Sequence, residues 1–263
     1  MSKIEHDCVL VKKEILNSEN LFLTFESQEI AEQAQPGQFI DLKGAAFLRR
    51  PFGIASVNRD RGQFGIGIKK KSAGTAYFFE AKLGNIYSVL GPLGNGFNFE
   101  GLKNIFLIGG GTGIYPLLFV LEKAKEIGIK TYIATGFRSQ EDILLEEEMG
   151  RIATELCIAT EDGSAHLKGY AQQALEKLWS EHGEAKPDTG LFCCGPQPMM
   201  KMAAVWAESL NLQCQVSTEE RMACGIGICR TCAVRVKDLI SGELNYDRCC
   251  LEGPVFNAEV IQW

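Results

Sequence analysis

Cys224, Cys229 and Cys232 stand in the spacing Cys-x4-Cys-x2-Cys, and a fourth thiol follows at Cys249 or Cys250. With Gly225 and Gly227 between the first two, the run predicts a tight loop whose backbone amides turn toward sulfur. Thiolates so spaced hold a [2Fe–2S] cluster, which passes electrons one at a time. Structural zinc is the competing chemistry, but its four thiolates usually come as two separated Cys-x2-Cys pairs. Here one such pair exists, Cys229 and Cys232, and the additional Cys224 sits where a two-iron loop needs it. Iron–sulfur chemistry is therefore expected, with the fourth ligand left between two adjacent thiols.

A second run bears on a nucleotide. Gly109-Gly110-Gly111-Thr112-Gly113 follows the apolar strand Ile105-Phe106-Leu107-Ile108 and opens a helix. Glycines there let backbone approach a pyrophosphate, and a helix N-terminus offers amide hydrogens and a favourable dipole. The match to Gly-x-Gly-x-x-Gly is imperfect, because Tyr115-Pro116 stands where the third glycine belongs. No acidic residue closes the second strand at Thr135-Gly136-Phe137-Arg138 to take a ribose, and Arg138 would favour a 2'-phosphate, tilting the cofactor toward NADP. Cys194-Gly195-Pro196 ends a later strand and faces the same crevice, where Gly195 would admit a nicotinamide ring. A plain strand-to-helix turn, with Pro196 as the first helical residue, is the alternative there.

In the N-terminal part, Arg49-Arg50-Pro51-Phe52-Gly53-Ile54-Ala55-Ser56 combines guanidinium groups with an extended strand. Such a run can set an arginine against phosphate oxygens and backbone amides against a flat ring, although an arginine on an edge strand has the same sequence. Gly74-Thr75 offers a phosphate-facing turn and helix start. Lys69, Lys70 and Lys71 form the compact basic run, read as a solvated strand end or an anion contact.

These groups must be positioned by three kinds of element. From about residue 7 to 100, short strand-like runs such as Leu21–Phe25, Phe39–Leu42 and Phe64–Ile68 alternate with turn chemistry at Pro36-Gly37, Asp60-Arg61-Gly62 and Gly91-Pro92-Leu93-Gly94. That pattern predicts an antiparallel β-barrel. From Asn104, strands and helices alternate: a helix over 113–127, strands at 130–135, 156–160 and 190–194, and helices near 170–179 and 199–209. Repeated βα units predict a parallel sheet covered on both faces. A cysteine-bearing module follows from about Val216. The expected fold class is α+β and multidomain, divided at 1–101, 102–215 and 216–263, with no internal repeat.

Composition sets the outer bounds. With 263 residues, 46% of them hydrophobic, the chain can bury several cores. A net charge of −6 argues against a nucleic-acid partner, which would need a basic field. No apolar stretch approaches the roughly 20 residues of a membrane span. The first residues lack the charged-then-apolar form of a secretory leader. Ten cysteines then predict metal chemistry in a reducing cytoplasm rather than a disulfide framework, with Cys8, Cys157, Cys193 and Cys214 as small buried hydrophobes.

Arg50-Pro51, Gly74-Thr75, Gly91–Phe97, Gly109–Gly113, Cys194-Gly195-Pro196, Glu220–Gly227 and Glu252-Gly253-Pro254-Val255-Phe256 occur in one order over nearly the whole chain. In this the chain resembles the electron-transfer subunits of dihydroorotate dehydrogenase B, of the ferredoxin reductase superfamily. The resemblance implies an FAD-binding barrel, an NAD-binding α/β domain and a C-terminal [2Fe–2S] module. It also implies a partner, the FMN-containing catalytic subunit that oxidises dihydroorotate to orotate, with two copies of each chain and electrons passing through the cluster and FAD to NAD+. Carried over residue by residue, Arg50, Pro51, Phe52, Gly53, Gly67, Ile68, Lys69, Gly74 and Thr75 would contact FAD. Gly109 to Gly113 and Cys194 to Pro196 would serve NAD. The cluster ligands would be Cys224, Cys229, Cys232 and Cys250, because the family's fourth cysteine lies three residues before the Gly-Pro-Val-Phe run; Cys249 would be a spare thiol.

Two positions depart from the family's pattern. Serine or threonine is usual where Gly53 stands, so a backbone amide or Ser56 must meet the flavin instead. Arginine is common where Lys69 stands. Similar chains serve ferredoxin:NADP reductases and hydrogenase or sulfide-reductase complexes, and a zinc-stabilised dinucleotide-binding redox sensor is the non-enzymatic alternative.

Overall fold

The computed structural model describes residues 5–263. Six strands close an antiparallel barrel: β1 (Glu5–Ile15), β2 (Asn20–Glu26), β3 (Phe39–Leu42), β4 (Arg50–Asn58), β5 (Gln63–Lys69) and β6 (Ile86–Leu93), in the spatial order β1-β2-β5-β4-β3-β6. Short helices α1 (Gln28–Gln33) and α2 (Ala73–Ala76) lie in its connections. Alternation decides which side chains fill it. In β3, Ile40 and Leu42 join Leu21, Leu23, Ile54, Ile66 and Val89 in the barrel core, whereas Phe39 packs into a core shared with the C-terminal residues.

The second unit is a sheet with β7 (Asn104–Gly110) at its centre. Helix α3 (Ile114–Glu126) and β8 (Lys130–Phe137) follow, then α4 (Glu146–Ile152), β9 (Glu155–Thr160), β10 (Leu167–Lys168), α5 (Ala171–His182), β11 (Thr189–Cys194), α6 (Gln197–Ser209) and β12 (Gln213–Ser217). Strands β8, β9 and β10 lie on one side of β7 and β11 and β12 on the other, all parallel. The chain's direction of travel across the sheet therefore reverses at β7, and a crevice opens beyond the carboxyl ends of β7 and β11. Both faces are covered: Ile105 and Leu107 of β7 pack with α3, and Phe106 and Ile108 with α5 and α6. This is the near-continuous apolar run of a buried parallel strand.

The C-terminal residues form the cysteine loop, the hairpin β13 (Ala233–Lys237) and β14 (Leu244–Arg248), and β15 (Val255–Asn257). The last strand pairs antiparallel with β12, so the chain's end completes the seven-stranded sheet. Nothing in the sequence pattern distinguishes that three-residue strand from a loop.

Several local expectations shift. Gly91-Pro92-Leu93 is the end of β6 rather than a turn, because Leu93 pairs with Phe39, and the chain turns at Gly94, where φ is +71°. Helix α3 begins at Ile114, after a 3₁₀ turn over Gly111–Gly113. Pro196 is the N-cap of α6, not its first residue, and Pro198 lies in the first turn. Cys8, Cys157 and Cys193 are buried as expected, but Cys214 is only partly so. Among the described residues, no helix is long and apolar enough to cross a membrane.

Candidate functional site

The cysteine loop turns on left-handed backbone at Gly225 (φ +68°), Gly227 (φ +83°) and Arg230 (φ +56°). Two of these three are glycines, which adopt such φ without steric cost. The loop brings the four expected thiols together as two pairs. Cys224 Sγ accepts from the Cys229 N–H (3.4 Å), and those two thiols also interact with each other. Cys250 Sγ accepts from the Gly227 N–H (3.1 Å) and interacts with Cys232. Arg248 braces the arrangement, donating to the Gly227 carbonyl (2.9 Å) while its Nε meets Glu252 (3.0 Å).

A single tetrahedral ion, with metal–sulfur bonds of about 2.3 Å, needs its sulfurs mutually close. Among the described residues, the only three or more ligand atoms within 4.8 Å of one another belong to Glu155, Glu181 and His182, and none is a cysteine. Two pairs set apart suit two metal atoms, and amide hydrogens aimed at sulfur suit thiolates. The residues fit a [2Fe–2S] cluster better than zinc. Hydrogen bonds from Thr231, then from Cys224, bring the exposed Cys229 thiol down to about 6. Cys249 points elsewhere, with its sulfur 3.4 Å from the Thr218 carbonyl and 3.5 Å from its hydroxyl. Burial pushes that thiol up to about 12.

A cavity of about 250 Å³ lies between the barrel and the sheet, lined by Arg50 to Gly53, Gly67, Lys69, Thr75, Tyr115, Pro116 and Cys194, and closed on the C-terminal side by Ser217 to Glu220, Met222 and Pro254. Arg50 Nε is buried there without a partner among the described residues, and a Cβ on Gly74 would fall 2.8 Å from it. The glycine thus lets the guanidinium lie against α2, with a donor left over for an anion, which fits a flavin dinucleotide's phosphate. Thr75 spends its hydroxyl on its own turn, accepting from the Lys71 (2.8 Å) and Ser72 (3.1 Å) N–H groups. Ile68 is wholly buried in the barrel core, so only its backbone can face a ligand.

Gly53 and Gly67 have a packing role that sequence reading missed. A Cβ on Gly53 would lie 2.6 Å from Pro116 Cγ, and one on Gly67 would lie 2.2 Å from the Tyr115 ring. The bulky pair in place of the fingerprint's third glycine is accommodated by two glycines of the barrel, and Tyr115 hydrogen-bonds Asn20 (3.3 Å). Ser56 does not line the cavity; it sits close to Gly65.

A larger cavity, about 690 Å³, occupies the crevice at the carboxyl ends of the sheet. Gly110, Gly111, Thr112, Gly195 and Pro196 line it, with Arg138 on its wall. Gly109 and Gly113 are packing positions instead: a Cβ on Gly113 would meet the Cys194 carbonyl at 2.2 Å, and one on Gly109 the Leu117 side chain at 2.9 Å. Open glycine backbone at the start of a helix fits a dinucleotide's pyrophosphate. Acidic groups absent from the end of β8 come from other loops, as Asp142 and Glu161. Only the fold gathers them, so no sequence signal pointed there. The two cavities share Lys69, Lys71, Thr112 and Glu219. Cys194 lies at this junction, its thiol pushed up to about 12 by burial and then by Glu219.

Residues 219–262 match the model of the iron–sulfur cluster binding domain of dihydroorotate dehydrogenase B, and residues 107–204 that of the oxidoreductase NAD-binding domain. The chain is 37% identical over 246 residues to the dihydroorotate dehydrogenase B (NAD(+)) electron transfer subunit of Caldanaerobacter subterraneus subsp. tengcongensis, covering 93% of each. It is 30% identical over 269 residues to the subunit of that name from Desulforamulus reducens, covering 100% of each. Among solved structures, a chain of the NADH-dependent reduced ferredoxin-NADP oxidoreductase superposes with a TM-score of 0.85 at 28% identity, over 97% of this chain and 90% of that one. Phthalate dioxygenase reductase, at 17% identity and a TM-score of 0.64 over 93% of this chain and 76% of that one, shares the fold.

Proposed function

The chain belongs to the family of dihydroorotate dehydrogenase B electron-transfer subunits, and from that premise we propose that it carries electrons from the FMN of a dihydroorotate-oxidising partner, through [2Fe–2S] and FAD, to NAD+. The observation that carries the reading is contiguity. The nucleotide crevice and the flavin cavity share Lys69, Lys71, Thr112 and Glu219, and the flavin cavity ends at Met222, two residues before the first cluster cysteine. When bound, flavin takes one or two electrons at a time and so joins a one-electron cluster to a two-electron nicotinamide.

The chain's own residues position and insulate. Arg50, with Pro51, Phe52, Gly53, Gly67, Lys69, Gly74 and Thr75 around it and the Ile68 backbone behind, holds the flavin and its phosphates. Gly110 to Thr112 cradle the pyrophosphate of NAD, while Gly109 and Gly113 let the loop pack tightly enough to present it. Gly195 and Pro196 admit the nicotinamide, and Cys194 stays a protonated thiol at the junction. Cys224 with Cys229, and Cys232 with Cys250, ligate the cluster. The division into 1–101, 102–215 and 216–263 follows these three tasks. Two copies of each chain, in the cytoplasm, complete the proposed assembly.

The test is the visible spectrum of the anaerobically purified chain before and after NADH. Flavin bands on a broad iron–sulfur background, both bleaching, are expected; a chain that stays colourless after reconstitution with FAD, iron and sulfide would end the reading. Co-purification with an FMN-containing subunit that reduces NAD+ with dihydroorotate tests the partner.

One observation favours a second reading, an NADP-linked ferredoxin reductase subunit: Arg138 lines the crevice where a 2'-phosphate would lie. Reduction by NADPH at a kcat/KM above that with NADH would support it.

A further inference from the structure

Asp41 is a buried carboxylate that the electron path described above does not use. It lies on β3 directly opposite Pro51, on the strand that lines the flavin cavity. Its side chain faces the opposite way from Ile40 and Leu42, which fill the barrel. On that outer side it meets the cysteine loop: a Cβ on Gly225, the residue after Cys224, would fall 2.6 Å from Asp41 Oδ2. The residue is 1% exposed, and its Oδ1 is buried with no hydrogen-bond partner among the described residues.

The nearby cations do not pair with it. Arg49 is turned to other acceptors, with Nη1 on the Ser88 carbonyl (2.8 Å) and Nη2 on Glu5 (2.6 Å) and the Ser88 hydroxyl (2.7 Å). Its contact with Asp41 is to the main-chain carbonyl, at 3.5 Å. Arg49, and then Arg50, act on Asp41 through their charge, and Arg50 keeps its own Nε without a partner among the described residues, toward the flavin cavity. A buried carboxylate oxygen without a partner costs stability, and asparagine or leucine would fill the same space without placing a charge there. Such a group calls for a role outside folding.

We infer that Asp41 is an electrostatic positioning residue for the iron–sulfur centre: buried against the cysteine loop, its carboxylate keeps negative charge beside the cluster and lowers the potential at which the cluster takes up its electron. The inference rests on the cluster reading above. Reduction adds one electron and no proton to the cluster, so its charge becomes more negative by one, and a neighbouring anion opposes that step. A lowered potential favours onward transfer to the flavin site over retention on the cluster. Being buried, the effect is screened little by salt.

The test compares the full chain with Asp41→Asn and Asp41→Leu in redox titrations followed by the electron paramagnetic resonance signal of the reduced cluster, with iron and sulfide content measured alongside. Burial raises the Asp41 carboxyl to about 6 against the pull of Arg49 and Arg50, so the titrations are run at pH 8, above that value. Both variants are expected to keep their clusters and, at a fixed solution potential, to show a reduced-to-oxidised ratio about tenfold higher, a rise of about 59 mV for a one-electron couple. Unchanged potentials in variants with intact clusters would overturn the inference. So would a shift with leucine but not asparagine, which would assign the effect to hydrogen bonding, or loss of the cluster in both, which would make Asp41 purely structural. A wild-type chain without any [2Fe–2S] signal would instead remove the cluster reading itself, so the two failures are distinguishable.

Discussion

Replacing Gly53 tests how the barrel and the nucleotide-binding sheet are fitted together. A Cβ at this position would stand 2.6 Å from Pro116 Cγ, whereas carbon atoms rest at about 3.5–4.0 Å. Roughly 1 Å must open between two elements that resist moving. Strand β4 is hydrogen-bonded on both sides, to β3 and β5. Helix α3 is pinned by Tyr115, whose ring lies against Gly67 and whose hydroxyl meets Asn20. Overpacking of this kind costs about 1–3 kcal/mol. At about 2–4 °C per kcal/mol for chains approaching this length, Gly53→Ala should lower the melting temperature of the flavin-loaded protein by about 2–12 °C. In open space the same change would stabilise by about 0.4–1 kcal/mol through the unfolded chain, so the sign of the shift is itself diagnostic. Pro116→Ala should relieve the clash, and the double variant should recover at least about 1 kcal/mol relative to the sum of the single effects. Circular dichroism and flavin release, followed during heating, read all four proteins. A Gly53→Ala variant as stable as wild type, or strictly additive effects in the cycle, would refute the argument.

Cys250→Ser should abolish the iron–sulfur absorbance, while Cys249→Ser leaves it intact, because Cys249 is directed at Thr218; the reverse result would exchange the two assignments. Arg50→Ala should weaken FAD binding about 10–100-fold, the worth of a charged hydrogen bond or slightly more, with Arg50→Lys in between. Fluorescence titration of the flavin-free chain checks this, and equal affinities would remove Arg50 from the site. Burial raises Glu122 from 4.5 to about 7, against the Val57 N–H that its carboxylate accepts. The folded chain therefore holds that proton longer than the unfolded one, and the group's contribution to stability declines as pH rises from about 4.5 to about 7, by at most about 3 kcal/mol. Glu122→Gln should gain on wild type in melting temperature between pH 5 and pH 8; a difference constant with pH would count against this.

What sequence could settle was local. The short run Phe39–Leu42 between turn residues was readable as a strand of the barrel, and the apolar run at Ile105–Ile108 as a buried strand of the parallel sheet. The cysteine spacing named its chemistry because four thiols so close in the chain have few other uses. Residues near in sequence constrain each other's φ and ψ and their shared face, and this survives in any tertiary context.

Only the fold could decide contacts between residues far apart in the chain. The choice of Cys250 over Cys249 was available from resemblance, but the geometry behind it depends on Gly227 and Thr218, each more than twenty residues away. Glycines at 53 and 67 read in the sequence as ligand positions alone; the structure keeps both on the cavity wall and also sets them against Pro116 and Tyr115. The same distance hid β15, the acidic groups Asp142 and Glu161 in the crevice, and Asp41 beside Gly225. A one-dimensional pattern records which side chains are apolar, charged or small; which pair of them meets is fixed by packing density, since a close-packed interior leaves no room for a Cβ where two backbones touch.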